Sequence, residues 1–512
     1  MRALTQHLDR LSAIDAGFLA QEGPNTHMHI GGIVLLDGPP PDIGDFFAHV
    51  RSRLHLVPRY RQKVAPAPLE SGLPLWIDDP TFNLGYHVRH TALPAPGDED
   101  ALLRLAARIF SQRLDRAKPL WELWLVEGLP EGCFALISKS HHALVDGVSG
   151  ADLGTVLFDL DPDGTDLPAP EPWVASPEPG RAKLVARGVQ GAANRIARMA
   201  AGVVDDADPR RLVEQAREIA AGLGVVAWAA LNPPSPTPFN VRPGPHRRVA
   251  VVRAELAEFK EVKAALGGTV NDIVLTVVTG GLAHFLRERG LQTDDMALRA
   301  CVPVSVRTEA TRSSMGNEIT IMIAPLPVDV ADPVQRLTCV REVMDGLKES
   351  KQALGAKAIA ELQDFAPPTI FAQASRLQFS SRMYNLLVTN VPGPQLPLYV
   401  LGRRMRSIFP VPFLAGDRAL AIAIMSYDGQ MDFGLLGDFD ALPDLDIVAE
   451  GIEGSLAELL QVARKASRVE ARKAKRREPP KAKPGKAKAK AKAKAKAKAK
   501  AAKAKRRTSA ST

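Results

Sequence analysis

Ser140-His141-His142-Ala143-Leu144-Val145-Asp146-Gly147 is the stretch on which the fold and chemistry of this chain turn. Ahead of it, Cys133-Phe134-Ala135-Leu136-Ile137-Ser138 is an apolar run of the length of a buried strand. Behind it, Asp146-Gly147 reads as a turn, and Val148 to Phe158 as a helix-like stretch. An imidazole at the C-terminal end of a buried strand is held rigidly and can face a cleft. Its ordinary pKa of about 6.5 leaves the proton-accepting form in excess at neutral pH, which suits a general base.

Three readings of the pair compete. One imidazole takes a proton from an alcohol or amine as that group attacks an activated acyl carbon; or His141, His142 and Asp146 ligate a metal; or both rings are satisfied structural residues, the commoner fate of a strand histidine. Adjacent side chains on an extended strand point to opposite faces, so one metal does not readily collect both rings. No HExxH or CxxC pattern supplies further ligands. The same geometry predicts that only one of the two histidines meets reactants. Asp146 either shapes the turn, the preferred reading for Asp before Gly, or orients an imidazole as in triad logic.

HHALVDG resembles the HHxxxDG signature of chloramphenicol-acetyltransferase-like enzymes, peptide-synthetase condensation domains and bacterial wax ester synthase/diacylglycerol acyltransferases. Further segments resemble the last group. Leu11-Ser12-Ala13-Ile14-Asp15-Ala16-Gly17-Phe18 and Met28-His29-Ile30-Gly31 look like its N-terminal signature, Pro119-Leu120-Trp121 its PLW motif and Asn271-Asp272 its ND motif. Val302 to Arg307, Met315-Gly316-Asn317 and Thr389-Asn390-Val391-Pro392-Gly393-Pro394 continue the match in order. The resemblance covers roughly residues 1 to 460. It implies an α/β fold of two chloramphenicol-acetyltransferase-like domains with mixed sheets, joined by a helical crossover and facing each other across a tunnel.

The resemblance makes His142 the general base, with His141 and Asp146 beside it. His142 would deprotonate a fatty alcohol or diacylglycerol hydroxyl as that oxygen attacks the thioester of acyl-CoA, a substrate; no cofactor is implied. Direct transfer needs no GxSxG nucleophile. Gly147, Asn271 and Asn390 are placed next to substrate, although Asn271 may equally be read as stiffening a loop and Asn390 as shaping the tunnel. Asp272 opens the apolar stretch Ile273-Val274-Leu275, which favours a helix-cap or first-turn role. Trp121 reads as packing on a wall between domains. Arg307 is either a partner of Asp146 across the domain junction or a surface arginine.

Organisation follows from breakers and charge. Residues 1–160 form the first domain, and 161–245 hold a proline-rich linker and an alanine-rich helical crossover. Residues 246–463 alternate strand-like and helix-like runs as a second α/β domain, and 464–512 form a basic tail. That tail carries 22 Lys and Arg against 2 acidic residues, leaving 44 basic against 55 acidic residues upstream. The formal charge of +9 therefore hides an acidic body and a polycationic tail. Repulsion between lysines at i and i+4 predicts disorder in solution and helix against an anionic surface. A membrane or lipid-droplet surface is the favoured partner. Nucleic acid competes, although no aromatic residue interleaves the lysines, and a solubilising tail is the plain alternative.

No apolar leader follows Met1-Arg2, and the most apolar stretch, Ile219 to Leu231, is too short to cross a bilayer of about 30 Å. Three cysteines suggest a reducing cytoplasm, so the expected location is cytoplasmic and peripheral to a membrane or lipid droplet. No P-loop or dinucleotide-binding GxGxxG is found. Two other functions stay open: condensation on a carrier-bound thioester, and a non-catalytic lipid-surface or nucleoid-binding protein on the same scaffold.

Overall fold

The apolar run before the histidine pair forms strand β6 (Phe134–His141), as its composition predicts. Both faces of β6 are buried, which explains a continuous rather than alternating apolar run. Phe134 and Leu136 enter one apolar cluster, and Ala135 and Ile137 another on the opposite face. In the computed structural model, residues 9–66, 73–145, 153–165, 167, 172–178, 180, 231–305, 319–349, 382–477 and 487–505 are described. Asp146, Gly147, Arg307, Met315-Gly316-Asn317 and most of the expected helical crossover lie outside them.

Strand β6 pairs antiparallel with β1 (His29–Leu36) and β5 (Trp121–Glu127), and β5 runs parallel to β4 (Val88–Ala92). A two-stranded sheet of β2 (Gln62–Ala65) and β3 (Leu75–Asp78) lies outside this sheet. The second six-stranded sheet has the order β7-β14-β13-β10-β8-β9. Its strands are β7 (Arg247–Glu255), β8 (Leu298–Ser305), β9 (Ile319–Leu326), β10 (Leu386–Pro392), β13 (Leu420–Tyr427) and β14 (Gln430–Asp438). It too is mixed, with β10 parallel to β8 and β13.

The two halves are less separate than a boundary at 246 suggests. Strands β11 (Tyr399–Val400) and β12 (Arg403–Val411) leave the second half and complete the first sheet, β12 pairing with β1. Where β12 passes β14, a Cβ on Gly434 would sit 1.8 Å from the Pro410 carbonyl oxygen, so only glycine permits the approach. Nearby, the Ile408 N–H donates to Asp432 Oδ2 at 2.9 Å. Burial raises this Asp432 carboxyl to about 6. Loop closure over such distances leaves no local trace in sequence, which is why the exchange was not anticipated.

Helix α1 (Ala13–Gln21) begins at Ser12, whose hydroxyl accepts the Asp15 N–H at 3.1 Å. The helices α2 (Ile43–Arg53), α3 (Leu84–His87), α4 (Glu99–Ser111) and α5 (Leu153–Leu157) complete the described helices of the first half. In the second half, α6 (Leu256–Leu266) precedes α7 (Val270–Glu288), and α8 (Pro333–Glu349) follows β9. Among the described residues no single helix is long and apolar enough to cross a membrane. The α6–α7 pair has the composition for it but bends by 101°, and α7 is buried on nearly all sides.

The chain divides into two compact units, 1–460 and 461–512. Within the stretch from 464 onward, expected from sequence to be disordered in solution, two helical segments are described. Helix α9 runs unbroken over Leu445–Arg477, and Ala487–Lys505 forms helix α10. Alanine and lysine are both strong helix formers, and each exposed like-charge pair costs only about 0.2–0.5 kcal/mol. Propensity wins. Steps of two residues rotate about 200° around a helix, so the lysines of α10 are distributed over all its sides and leave no apolar stripe.

Candidate active site

His142 stands one residue beyond β6, where a 3-10 turn (His142–Leu144) takes over from the strand. Its backbone N–H donates to the Met28 carbonyl at 2.8 Å, tying the turn to the chain entering β1. Phe18 of α1 stacks on the imidazole at 4.0 Å between ring centroids. Phe413, just past β12, meets it edge-on at 5.6 Å. One aromatic wall thus comes from the N-terminal signature and the other from the strand that returns from the second half. The residue as a whole is half-buried.

Burial among these rings lowers the His142 pKa to about 4, partly offset by its own backbone carbonyl. The imidazole is therefore neutral at pH 7. Nδ1 is buried and makes no hydrogen bond of normal geometry among the described residues. With Nδ1 buried, Nε2 is the nitrogen that a hydroxyl would have to reach.

His141 faces elsewhere. It is 1% exposed, and its Nδ1 accepts the Ala143 N–H at 3.0 Å, so the neutral ring carries its proton on Nε2. The two histidines do not converge: His142 meets Phe18 and Phe413, and His141 meets His29. His141 pairs in register with His29 of β1, and their rings lie 6.0 Å apart. Behind His29 is Glu22, its side chain 2% exposed, with Oε1 3.5 Å from His29 Nε2. Arg116 Nε donates to Glu22 Oε2 at 2.7 Å, and Arg113 lies 3.4 Å away.

Burial alone would raise the Glu22 carboxyl, but the His29 hydrogen bond and the Arg116 charge carry it well below the usual carboxylate range. Burial lowers His29 to about 4 despite Glu22, and His141 to about 3. The motif thus rests on a charged carboxylate held by two arginines, with two neutral imidazoles between. Glu22 was not singled out in the sequence, and His29 only as part of Met28-His29-Ile30-Gly31. Their sole signal was a polar pair flanking an otherwise apolar entry into a strand.

Replacing Glu22 by glutamine keeps the shape but strips Arg113 and Arg116 of their counter-charge. Stability falls by about 1–3 kcal/mol, the modest part of the range for a broken buried pair because both arginines reach solvent. Denaturant unfolding of the variant measures this, and an unchanged midpoint contradicts it.

Lys139, two residues before His141, is fully buried. Its Nζ donates to the Ile109 and Gln112 carbonyls at 2.9 and 3.0 Å, closing the C-terminal end of α4. On β1, a Cβ at Gly31 would lie 1.8 Å from the Ser138 carbonyl oxygen and 2.9 Å from the Phe110 ring. Glycine lets β1, β6 and α4 close together beneath the motif.

Of the other residues singled out, the structure joins two. Asn390 Nδ2 donates to Asn271 Oδ1 at 3.1 Å, across 119 positions. The Asn271 amide N–H groups are therefore the ones left for another acceptor. Asp272 sits in the first turn of α7 and completes a capping box: its Oδ2 accepts the Thr269 N–H at 2.8 Å, while Thr269 Oγ1 accepts the Asp272 N–H at 3.2 Å. Trp121 does not line a wall between halves. It is 1% exposed inside the first half, stacked on His87 at 4.6 Å, with Nε1 donating to the Tyr60 carbonyl at 2.7 Å. Among the described residues no group of three His, Cys, Asp or Glu side chains is placed to hold a metal ion.

Two mixed sheets joined by an exchanged strand, with a histidine pair at the end of a central strand, define the fold of condensation-type acyltransferases. The first condensation domain of the calcium-dependent antibiotic synthetase shares it, with a TM-score of 0.54 at 17% identity over 90% of this chain and 97% of that one. The wax ester synthase/diacylglycerol acyltransferase from Marinobacter aquaeolei superposes with a TM-score of 0.62 at 27% identity, covering 89% of this chain and all of that one. Residues 11–274 match the wax ester synthase/diacylglycerol acyltransferase catalytic domain, and 315–460 the WS/DGAT C-terminal domain. A Mycobacterium tuberculosis protein named as a probable diacylglycerol O-acyltransferase is 33% identical over 468 residues, 90% of this chain and 97% of its own. Another protein of that species, with the same activity in its name, is 34% identical over 464 residues, 89% of this chain and 90% of its own. This chain belongs to the wax ester synthase/diacylglycerol acyltransferase family, as its ordered motifs implied, and is an acyltransferase.

Proposed function

We propose that the chain moves a fatty acyl group from acyl-CoA to the hydroxyl of diacylglycerol or a long-chain alcohol, with His142 as general base. The observation that carries this is a neutral imidazole at the end of a central strand, on a half-buried residue held between Phe18 and Phe413 with Nδ1 turned inward. Nε2 takes the hydroxyl proton as the alcohol oxygen bonds to the thioester carbon. The C–S bond then breaks, and the imidazolium returns the proton to the departing thiolate. The Asn271 amide, oriented by Asn390, supplies N–H donors for the developing oxyanion.

An acceptor panel with palmitoyl-CoA, following released thiol, tests this. Diacylglycerol or a long-chain alcohol raises thiol release well above hydrolysis, and the matching ester accumulates. Release that is indifferent to every acceptor removes the proposal.

We further propose that the basic C-terminal segment holds the enzyme to an anionic lipid surface. Helix α10 carries nine lysines and no apolar stripe, so the attraction is electrostatic, up to about 1 kcal/mol for each lysine near the surface. Removing residues 478–512, which spares helix α9, weakens binding to phosphatidylglycerol liposomes at low salt and leaves transfer to dispersed acceptor unchanged. Equal binding with and without the segment, at 20 mM and 150 mM salt alike (~20 and ~8 Å Debye lengths), counts against it.

A further inference from the structure

A second cleft, of about 600 Å³, opens in the first half and shares no lining residue with the His142 site. Arg51 in the last turn of α2 and Arg61 form its cationic side, with His55 beside them, and Leu84, Phe82 and Trp173 its apolar side. No aspartate or glutamate lines it among the described residues. Neither Arg51 nor Arg61 has an ion pair there. Asp78 pulls on Arg61 only from a distance, because its oxygens are taken by Gln62 Nε2 at 3.1 Å and the Ser176 N–H at 3.0 Å. Arg61 is held over the Trp173 ring at 4.7 Å, and Trp173 meets Phe82 edge-on. Arg61 Nε and His55 Nδ1 are buried without hydrogen-bond partners.

Trp173 belongs to the proline-rich segment read from sequence as linker. It folds back onto this cleft, anchored by Ser176 on Asp78 and by Glu178 on Lys63 at 3.2 Å. At the rim, Val174 is 79% and Leu56 42% exposed. Unpaired guanidinium groups call for an anion, and a planar fork suits phosphate oxygens. The aromatic and aliphatic wall calls for an apolar stem on that anion. Apolar rim residues flanking an indole and cations match an interface where headgroups meet acyl chains.

We propose that this cleft binds the phosphate headgroup of an anionic glycerolipid, docking the catalytic body to a lipid surface independently of the lysine-rich tail. The phosphate oxygens engage Arg51 and Arg61, and the glycerol and first acyl carbons lie along Phe82, Leu84 and Trp173. The inference stands apart from the chemistry at His142.

Tryptophan fluorescence of the full-length protein tests it, titrating dihexanoyl-phosphatidylglycerol below its micelle-forming concentration. The tail contains no tryptophan, so its own binding is silent. A saturable change is expected, at least tenfold weaker in affinity in R51Q/R61Q and lost in W173F, with acyl transfer to dispersed acceptor unchanged. R61K, which keeps the charge but not the planar fork, binds more weakly than wild type and more tightly than R51Q/R61Q. Dihexanoyl-phosphatidylcholine binds at least tenfold more weakly. Equal affinity of wild type and R51Q/R61Q overturns the proposal, as does the absence of any response. Inorganic phosphate or CoA saturating the cleft as tightly as the lipid also overturns it, by assigning the cleft to a soluble anion.

Discussion

H142A lowers the rate of acyl transfer by about 10²–10⁴-fold, the contribution of a positioned base, a loss larger than its effect on thermal unfolding. The substitution removes the half-buried histidine of the motif and loses its ring contacts with Phe18 and Phe413, worth about 0.5–1.5 kcal/mol each. H141A behaves in the opposite way. Its ring is sealed and accepts the Ala143 N–H, so the loss appears first in stability, by about 1–3 kcal/mol. Thiol release from acyl-CoA and a thermal melt on each variant separate the two roles. Transfer by H142A at more than a tenth of the native rate would remove His142 from the chemistry. The same environment sets the pH profile. A base lowered to about 4 is already deprotonated at pH 5, so the acid limb of kcat/KM falls near pH 4 rather than near 6.5.

Acid stability carries the second large effect. His29 and His141 are almost completely buried, with pKa values of about 4 and 3 against about 6.5 in the unfolded chain. Below pH 6.5 the unfolded state binds protons that the native state refuses, so stability falls as pH drops towards 4. Each histidine contributes a slope of up to about 1.4 kcal/mol per pH unit. Asp432 opposes them: with its native pKa raised to about 6, its contribution is greatest at low pH and is lost as pH rises from 3.8 to 6. With His142, also lowered to about 4, three groups outweigh one. The net loss between pH 6 and 4 is at least about 1.4 kcal/mol per unit, and lowered values at His27, His49 and His87 add to it. Glu22 joins only below its ordinary carboxylate range. Urea unfolding at pH 6.5 and 4.5 measures the slope, and stability that is flat or rising with acid would refute the assignment of neutral buried rings.

These effects show why parts of the site were legible and others were not. The strand ending at His141 declares itself through consecutive apolar residues, because both of its faces are buried. A cap at the start of α7 follows from Thr269 and Asp272 lying three residues apart. Such features depend on neighbours within one turn or one strand. Trp121 was legible as a packing residue but not in its location, since an indole in a core and one on a domain wall have the same local sequence.

The family and the strand that presents the motif were readable from sequence, because each is written in short-range pattern. Tertiary structure alone decided what surrounds His142. Phe413 reaches it from 271 positions away by way of a strand that crosses between sheets, and His29 meets His141 across 112 positions. Glu22 becomes a buried anion only when the loop carrying Arg113 and Arg116 closes over it. Burial and charge pairing depend on what arrives from elsewhere in the chain, and those arrivals set whether an imidazole is a neutral base or a sealed support.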